Sequence, residues 1–96
     1  MNKTICSAIT QKRVVQFYYE EELRIVEPHC HGLTTAGNDG LRAYQIGGYS
    51  SSGNMGWKMY DLGKAKKIQI LLDNFKGPRP GYKRNDKGMS KIYCQL

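Results

Sequence analysis

Residues 13–28 read RVVQFYYEEELRIVEP, and this stretch decides the fold. β-branched and aromatic residues dominate both RVVQFYY and LRIVEP, which is typical of strands, and the three glutamates between them form a polar turn. The stretch therefore predicts two neighbouring strands joined at residues 20–22. Pro28 has no backbone N–H, so we expect it to end regular pairing or to mark a sheet edge.

The flanking sequence predicts one helix and several more short strands. Ile5, Ala8 and Ile9 follow helical spacing within residues 3–12, where Asn2 or Thr4 is a suitable N-cap. Turn signals separate the further strands, which are HCHGLTT after a kink, LRAYQIGG, WKMYDL, KKIQILLDNF and KIYCQL. The pattern predicts a mainly β fold, a small β-barrel of about six short strands preceded by a short N-terminal α-helix. Its predicted core contains Ile5, Ile9, Val15, Phe17, Leu23 and Ile25.

Length and composition restrict the class of protein. The 96 residues suffice for one domain, with the helix in residues 1–12 and a basic connector and closing strand in residues 76–96. No segment approaches the roughly 20 apolar residues of a membrane-spanning helix, so we expect no membrane partner. The three cysteines are an odd, scattered set, which predicts the absence of a disulfide framework and a reducing, cytoplasmic location.

The net charge of +7 is distributed unevenly along the chain. Cationic and acidic residues balance in residues 1–48, so the whole excess lies in residues 49–96. Such asymmetry predicts an anionic partner, such as a nucleotide or a nucleic acid. A basic surface without a specific ligand is the alternative interpretation.

The order of these segments resembles the WYL domain. The most specific pieces of the resemblance are Phe17–Tyr19 and Arg24–Pro28, and it covers roughly residues 4–75. The Trp-Tyr-Leu triplet that names the family is absent; residues 40–44, which include Arg42, take its place. Lys64 stands where the family usually has an arginine. Lysine lacks the planar guanidinium that binds phosphate through two hydrogen bonds at once.

The resemblance implies an SH3-like (Sm-like) β-barrel of the kind found in bacterial regulators, often behind a DNA-binding winged helix. Residues 1–96 contain no such helical domain, so we expect the chain to be similar to a stand-alone, divergent WYL-like module. The resemblance also implies recognition of a nucleotide or nucleic acid by a basic patch, in a bacterial or phage-infected bacterial cell.

Residues 49–58, YSSSGNMGWK, form a glycine- and serine-rich loop and the strand start after it. Backbone N–H groups and the hydroxyl of Ser51 are suited to a phosphate, while Tyr49 and Trp57 offer stacking faces and Lys58 a charge. The loop is not a P-loop, because it lacks the G-x-x-x-x-G-K-[ST] pattern and no helix follows. Trp57 is also a candidate core residue, and both interpretations stay open.

The connector GPRPGYKRNDKG interleaves basic residues with an aromatic one. Arg79, Lys83, Arg84 and Lys87 surround Tyr82, an arrangement that neutralises phosphates and stacks on bases. A solvated linker with a structural tyrosine is the alternative. The candidate ligand-binding residues are Arg42, Tyr49, Ser51, Trp57, Lys58, Lys64, Arg79, Tyr82, Lys83 and Arg84.

The sequence gives little support for a metal site or a catalytic site. His29 and His31 share a face if they lie on a strand, but a zinc site needs three or four ligands. A contact from either histidine to a ligand phosphate is a further hypothesis. The acidic residues show no pairing typical of catalysis, and the basic half holds only three of them.

The sequence thus predicts a non-catalytic binding module without a cofactor. It would hold a nucleotide signal or a short single-stranded nucleic acid on a basic surface, for sensing or for sequestration. The alternatives are a protein-interaction or homo-oligomer-forming module, and a small metal-dependent nuclease.

Overall fold

A computed structural model describes residues 1–96. The elements in chain order are α1 (Lys3–Gln11), β1 (Arg13–Tyr19), β2 (Glu22–Thr34), β3 (Asp39–Gly48), β4 (Gly56–Asp61), a 3-10 turn (Leu62–Lys64), β5 (Ala65–Asn74) and β6 (Met89–Gln95). The predicted mainly β fold with one short N-terminal helix is confirmed. No helix in the chain has the length and apolar character needed to cross a membrane.

Strand β2 organises the sheet. The strand order is β4-β3-β2-β1-β5, and β6 pairs with the second half of β2 on the side that β1 occupies along the first half. All these pairings are antiparallel. Strands β4 and β5 lie at opposite ends of this order and are not paired with each other. Backbone hydrogen bonds therefore do not close the sheet into a barrel.

We expected Pro28 either to end regular pairing or to mark a sheet edge. It does not end the second strand. It lies inside β2 opposite Ala43 of β3, next to a register shift. On its other side the pairing with β1 stops at Val26 and the pairing with β6 starts at Cys30. Pro28 therefore occupies a gap between two neighbouring strands, where its missing N–H interrupts neither ladder.

The core lies between α1 and the inner face of the sheet. It comprises Ile5, Ala8, Ile9, Val15, Phe17, Val26, Leu41, Ala43, Tyr60 and Leu62. Asn2 caps α1 by accepting a hydrogen bond from the Ile5 N–H at 3.0 Å. The predicted apolar face of the helix and the first strand's Val15 and Phe17 are confirmed as core.

Leu23 and Ile25 are half-buried and lie outside the core cluster, so their placement in it was wrong. The register pairs Val15 with Val26 and Phe17 with Arg24. Residues directly opposite each other in a sheet share a face, so Val26 and Arg24 point inward and their neighbours in β2 point outward. The core face of β2 thus includes an arginine.

A disulfide joins Cys6 of α1 to Cys94 of β6, with Cα atoms 5.7 Å apart. The odd, scattered cysteines predicted no such bond, and that prediction was wrong. The two residues lie 88 positions apart and meet because β6 returns to β2 beneath the helix. Only Cys30 remains free, buried in β2. The argument from cysteine usage for a reducing compartment therefore no longer holds.

Candidate functional site

The connector between β5 and β6 packs on the outer face of the sheet, across the gap in the pairing of β2. Arg79 Nε and Nη2 donate to the two carboxylate oxygens of Glu27 at 2.7 and 2.9 Å. The Arg79 N–H donates to His29 Nε2 at 3.1 Å, and the Tyr82 hydroxyl donates to the His29 carbonyl at 3.2 Å. The connector thereby occupies the stretch of β2 that neither β1 nor β6 pairs with.

Trp57 of β4 holds the connector from the other side. Its Nε1 donates to the Pro80 carbonyl at 3.0 Å. Gly81 has a φ of +91° and lies so close that a Cβ there would be 3.2 Å from Trp57 Nε1. Glycine is needed at this turn for both its backbone conformation and the close approach.

Aromatic rings fill the space beneath the connector. Trp57 and Tyr82 are nearly parallel, with centroids 5.9 Å apart and an interplanar angle of 22°. Both rings also pack on His29, at centroid distances of 4.7 and 5.0 Å. Burial raises the pKa of Tyr82 to about 12, so its hydroxyl stays protonated as the donor to His29.

Above this layer lies a cleft with a volume of about 360 Å³. It is lined by Arg42, Trp57, Gly81, Tyr82, Lys83, Arg84, Asn85, Asp86 and Lys87. Four cationic side chains thus surround two aromatic rings, with a single carboxylate among them. A cleft lined by one sign of charge focuses the electrostatic field and attracts ligands of the opposite sign.

Asp86 is bound within the wall of the cleft. Arg42 Nε donates to Asp86 Oδ2 at 2.7 Å, and the Gly88 N–H donates to Oδ1 at 2.8 Å. The hydrogen bond from Arg42 holds the pKa of Asp86 below its usual value. The cleft residues Lys83, Arg84 and Lys87 form no ion pair, so their charges are available to an anion.

Half of the candidate residues meet in this cleft: Arg42, Trp57, Tyr82, Lys83 and Arg84. Trp57 is half-buried and lies outside the main core cluster, so it both packs under the connector and faces the cleft. Lys87, which the sequence placed with the basic residues around Tyr82, also lines the cleft. Asp86 was missed by sequence reasoning, although it lies in the same basic connector.

Tyr49, Ser51 and Lys58 do not line the cleft. Side chains alternate along a strand, so Lys58 points to the face of β4 opposite to its neighbour Trp57. The Lys58 ammonium instead donates to the hydroxyls of Ser50 and Ser52, each at 3.1 Å. The alternation of side chains along WKMYDL is the sequence signal that could have predicted Trp57 and Lys58 on opposite faces of the strand.

The remaining two candidates lie elsewhere. Lys64 is exposed in the 3-10 turn between β4 and β5, outside the cleft. Arg79 lies at the start of the connector, with its guanidinium paired to Glu27 and placed 4.6 Å from the centre of the Tyr44 ring. The position of Arg79 is that of a structural anchor for the residues that follow it.

His29 and His31 have both ring nitrogens occupied. Each Nε2 accepts a backbone N–H, from Arg79 and Asn2 respectively, and each Nδ1 lies 2.8 Å from a carbonyl oxygen. Burial lowers the pKa of both histidines, which agrees with neutral rings donating from Nδ1. Both are fully buried, so the hypothesis that they contact a ligand phosphate was wrong. No group of three or more histidine, cysteine or acidic side chains is placed to hold a metal ion.

Comparisons with protein-family models, with curated proteins and with solved structures found no match to this chain. The resemblance to the WYL domain therefore remains a prediction that rests on the segments around Phe17 and Pro28. The candidate site has to be judged on its own geometry.

Proposed function

We propose that this protein is a non-catalytic module that binds a phosphate-bearing nucleotide or a short single strand in the cleft beside Trp57. The observation that carries the proposal is the meeting of the Trp57–Tyr82 pair with unpaired cations in one cleft. Aromatic rings next to basic side chains hold bases by stacking and phosphates by charge. The volume of about 360 Å³ lies within the range usual for small-molecule sites.

The roles divide among the cleft residues by their chemistry. The exposed surface of the aromatic pair is suited to a base, because stacking needs only a flat face. Lys83, Arg84 and Lys87 are suited to phosphate oxygens, since no carboxylate of the protein competes for them. Arg42 is tied to Asp86 and shapes the wall.

The same lining favours binding over catalysis. It contains no histidine, cysteine or serine, and its one carboxylate is already engaged by Arg42 and by a backbone N–H. Histidine and free carboxylates are the most frequent general bases in enzymes, and this lining supplies neither. We therefore propose binding without turnover.

The test measures affinity for a mononucleotide and for a labelled single-stranded oligonucleotide over a range of salt concentrations. Lys83→Gln/Arg84→Gln removes two charges from the cleft, and Lys66→Gln/Lys67→Gln removes two exposed charges from β5 as the matched control. We expect the cleft variant to lose affinity. The slope of its affinity against salt concentration should also be shallower, by the amount that about two neutralised phosphates contribute. The control should bind like the parent.

Equal losses in the cleft variant and in the control would reject the proposed site, because net charge alone would then explain binding. Cleavage of the oligonucleotide on addition of Mg²⁺ would reject the non-catalytic proposal in favour of the nuclease. Preference for the mononucleotide or for the strand identifies which form of the ligand the cleft accepts.

We further propose that binding serves sensing or sequestration in a bacterial cytoplasm, as the resemblance to the WYL domain implies. The uneven charge of the chain supports an anionic ligand independently of that resemblance. The Cys6–Cys94 disulfide is a bond that reducing compartments do not favour, so measurement of its redox state in cells tests the location directly.

A homo-oligomer is the second candidate, and one feature of β5 favours it. This strand pairs only with β1, so its other edge is open, and Leu72 on it is 89% exposed. Open strand edges are templates for pairing with another chain. Light scattering with Leu72→Lys and the parent tests this: a dimer that the substitution dissociates supports the candidate, and a monomeric parent rejects it.

A further inference from the structure

Arg24 is a buried cation on the core face of β2, away from the cleft. The residue is 4% exposed, and its Nε is the one buried side-chain nitrogen or oxygen without a hydrogen-bond partner. A buried charged group is costly unless it is paired and its donors are satisfied. The chain therefore keeps an unsatisfied donor at a place where an apolar residue would be expected.

The hydrogen bonds that Arg24 does make are long. Its Nη2 lies 3.3 Å from the Tyr19 carbonyl and 3.5 Å from Glu20 Oε1. The Glu20 side chain is 65% exposed, so water screens this pair and competes for the carboxylate. Arg24 thus has no well-formed counter-ion within the protein.

Aromatic rings enclose the guanidinium instead. Its central carbon lies 5.5 Å from the centre of the Tyr19 ring and 5.4 Å from that of Tyr49. Tyr49 is 48% exposed and stands between Arg24 and solvent. Cation–π contacts stabilise the charge on the guanidinium faces but leave its N–H edge free for a planar or tetrahedral anion.

A second cation, Lys58, contacts the loop that begins at Tyr49. Tyr49 contacts Arg24, and the next residue, Ser50, accepts a hydrogen bond from Lys58. Lys58 forms no ion pair, and its other partner is the hydroxyl of Ser52. Gln45 fixes the start of the loop by donating to the Tyr49 carbonyl at 2.7 Å. Arg24 and Lys58 therefore contact the same loop at different residues, Arg24 at the Tyr49 ring and Lys58 at the two serine hydroxyls.

We propose that Arg24 is the centre of a second anion site, which takes an oxyanion, a phosphate or a carboxylate group, under the loop at residues 49–52. The incoming oxyanion replaces Glu20 at Nη2 and accepts a hydrogen bond from the free Nε. Outward rotation of the Tyr49 ring opens the path. The site lies on the face of the sheet opposite to Trp57 and does not depend on the nucleotide cleft.

The direct test observes the Arg24 Nε–H in the intact protein by ¹⁵N NMR. Titration with inorganic phosphate, and separately with acetate, is compared with chloride at equal ionic strength. We expect a saturable shift of this one resonance and slower exchange of its proton with water, because the group gains an acceptor. The anion that gives the larger shift identifies phosphate or carboxylate as the source. No shift with either anion would overturn the proposal.

Two variants separate this site from the cleft. Arg24→Lys keeps the charge but loses the fork, so phosphate affinity should fall by about tenfold or more, as expected when one charge-assisted hydrogen bond of a bidentate pair is lost. Lys83→Gln/Arg84→Gln should leave the Arg24 shift unchanged. Loss of the shift in this cleft variant would show that the anion binds at the cleft and would refute a second site. If Arg24→Lys does not fold, the wild-type titration and the cleft variant still decide the question.

Discussion

Arg79 and Glu27 form a two-pronged ion pair across 52 positions of the chain, with N–O distances of 2.7 and 2.9 Å. The Glu27 side chain is only 6% exposed, whereas that of Arg79 is 41% exposed. The pair attaches the start of the connector to β2 at the place where neither β1 nor β6 pairs with that strand. The position of Tyr82, Lys83 and Arg84 over Trp57 follows from this attachment.

Arg79→Gln should therefore loosen the connector and weaken ligand binding, although Arg79 does not line the cleft. We expect a loss of about 1–3 kcal/mol in the free energy of unfolding, because the buried Glu27 carboxylate keeps its desolvation cost without its partner. Urea unfolding and oligonucleotide affinity measure the two effects. In a double-mutant cycle Glu27→Gln should restore part of the stability, and additive losses would show that the pair is not coupled.

Removal of Phe17 tests the core. Its ring is fully buried and packs edge-on against Tyr60 at a centroid distance of 5.0 Å. Phe17→Ala should lower the free energy of unfolding by about 3–5 kcal/mol, which is comparable with the whole stability of a small domain. The matched control is Leu72→Ala on the exposed surface of β5, for which we expect a change within about 0.5 kcal/mol. Similar losses in both variants would contradict this core.

Acid should destabilise the protein in the range where histidine titrates. Burial lowers the pKa of His29 and His31 in the folded state, so below the unfolded value of about 6.5 the unfolded chain binds more protons. The stability that their neutral rings contribute is fully present above that value and is lost as the pH falls. The pKa of Asp86 is lowered from 3.8, so its contribution is lost only at more acidic pH.

Urea unfolding at pH 7.5, 6.5 and 5.5 measures this loss, and NMR of the two imidazole rings identifies its source. At pH 6.5 both rings should be mainly in the neutral Nδ1–H form, because their pKa values are lowered from 6.5. A free energy of unfolding that is flat across this range, or rings that are mainly protonated at pH 6.5, would contradict the assignment.

Reduction of Cys6–Cys94 should weaken the fold. The bond closes most of the chain into a loop and ties α1 to β6, so its loss should lower the free energy of unfolding by about 2–5 kcal/mol. Denaturant unfolding with and without a reducing agent measures the effect. The Cys6→Ser/Cys94→Ser variant should be less stable than the parent and insensitive to the reducing agent. In the folded protein burial raises the pKa of the Cys30 thiol to about 11, so this thiol does not exchange with the disulfide before unfolding. An oxidised parent that reduction does not destabilise would count against this bond.

Trp57→Phe tests the stacking face of the cleft. The smaller ring should weaken oligonucleotide binding roughly tenfold, within the 1–3 kcal/mol that a stacked base contributes. Loss of the hydrogen bond to Pro80 should cost only about 1 kcal/mol of stability. Fluorescence anisotropy of a labelled strand measures affinity. The control is Tyr18→Phe, at an exposed side chain of β1. Unchanged affinity with a large loss of stability would make Trp57 a packing residue only.

The sequence by itself determined the element types and most of their bounds. Helical spacing of Ile5, Ala8 and Ile9, and strand-forming residues in RVVQFYY, are local properties, so they are visible in the order of residues along the chain. The excess of positive charge in residues 49–96 and the basic, aromatic character of the connector were visible for the same reason. Tyr82, Lys83, Arg84 and Lys87 of the cleft were identified on those grounds.

Only the tertiary structure decided which of these residues act together. The register of β2 against β1 put Arg24 rather than Leu23 on the core face, and one step in register exchanges the two faces of a strand. The pairing of Arg79 with Glu27 and of Cys6 with Cys94 depends on contacts 52 and 88 residues apart. No local pattern specifies such contacts, because they arise when β6 and the connector fold back onto β2.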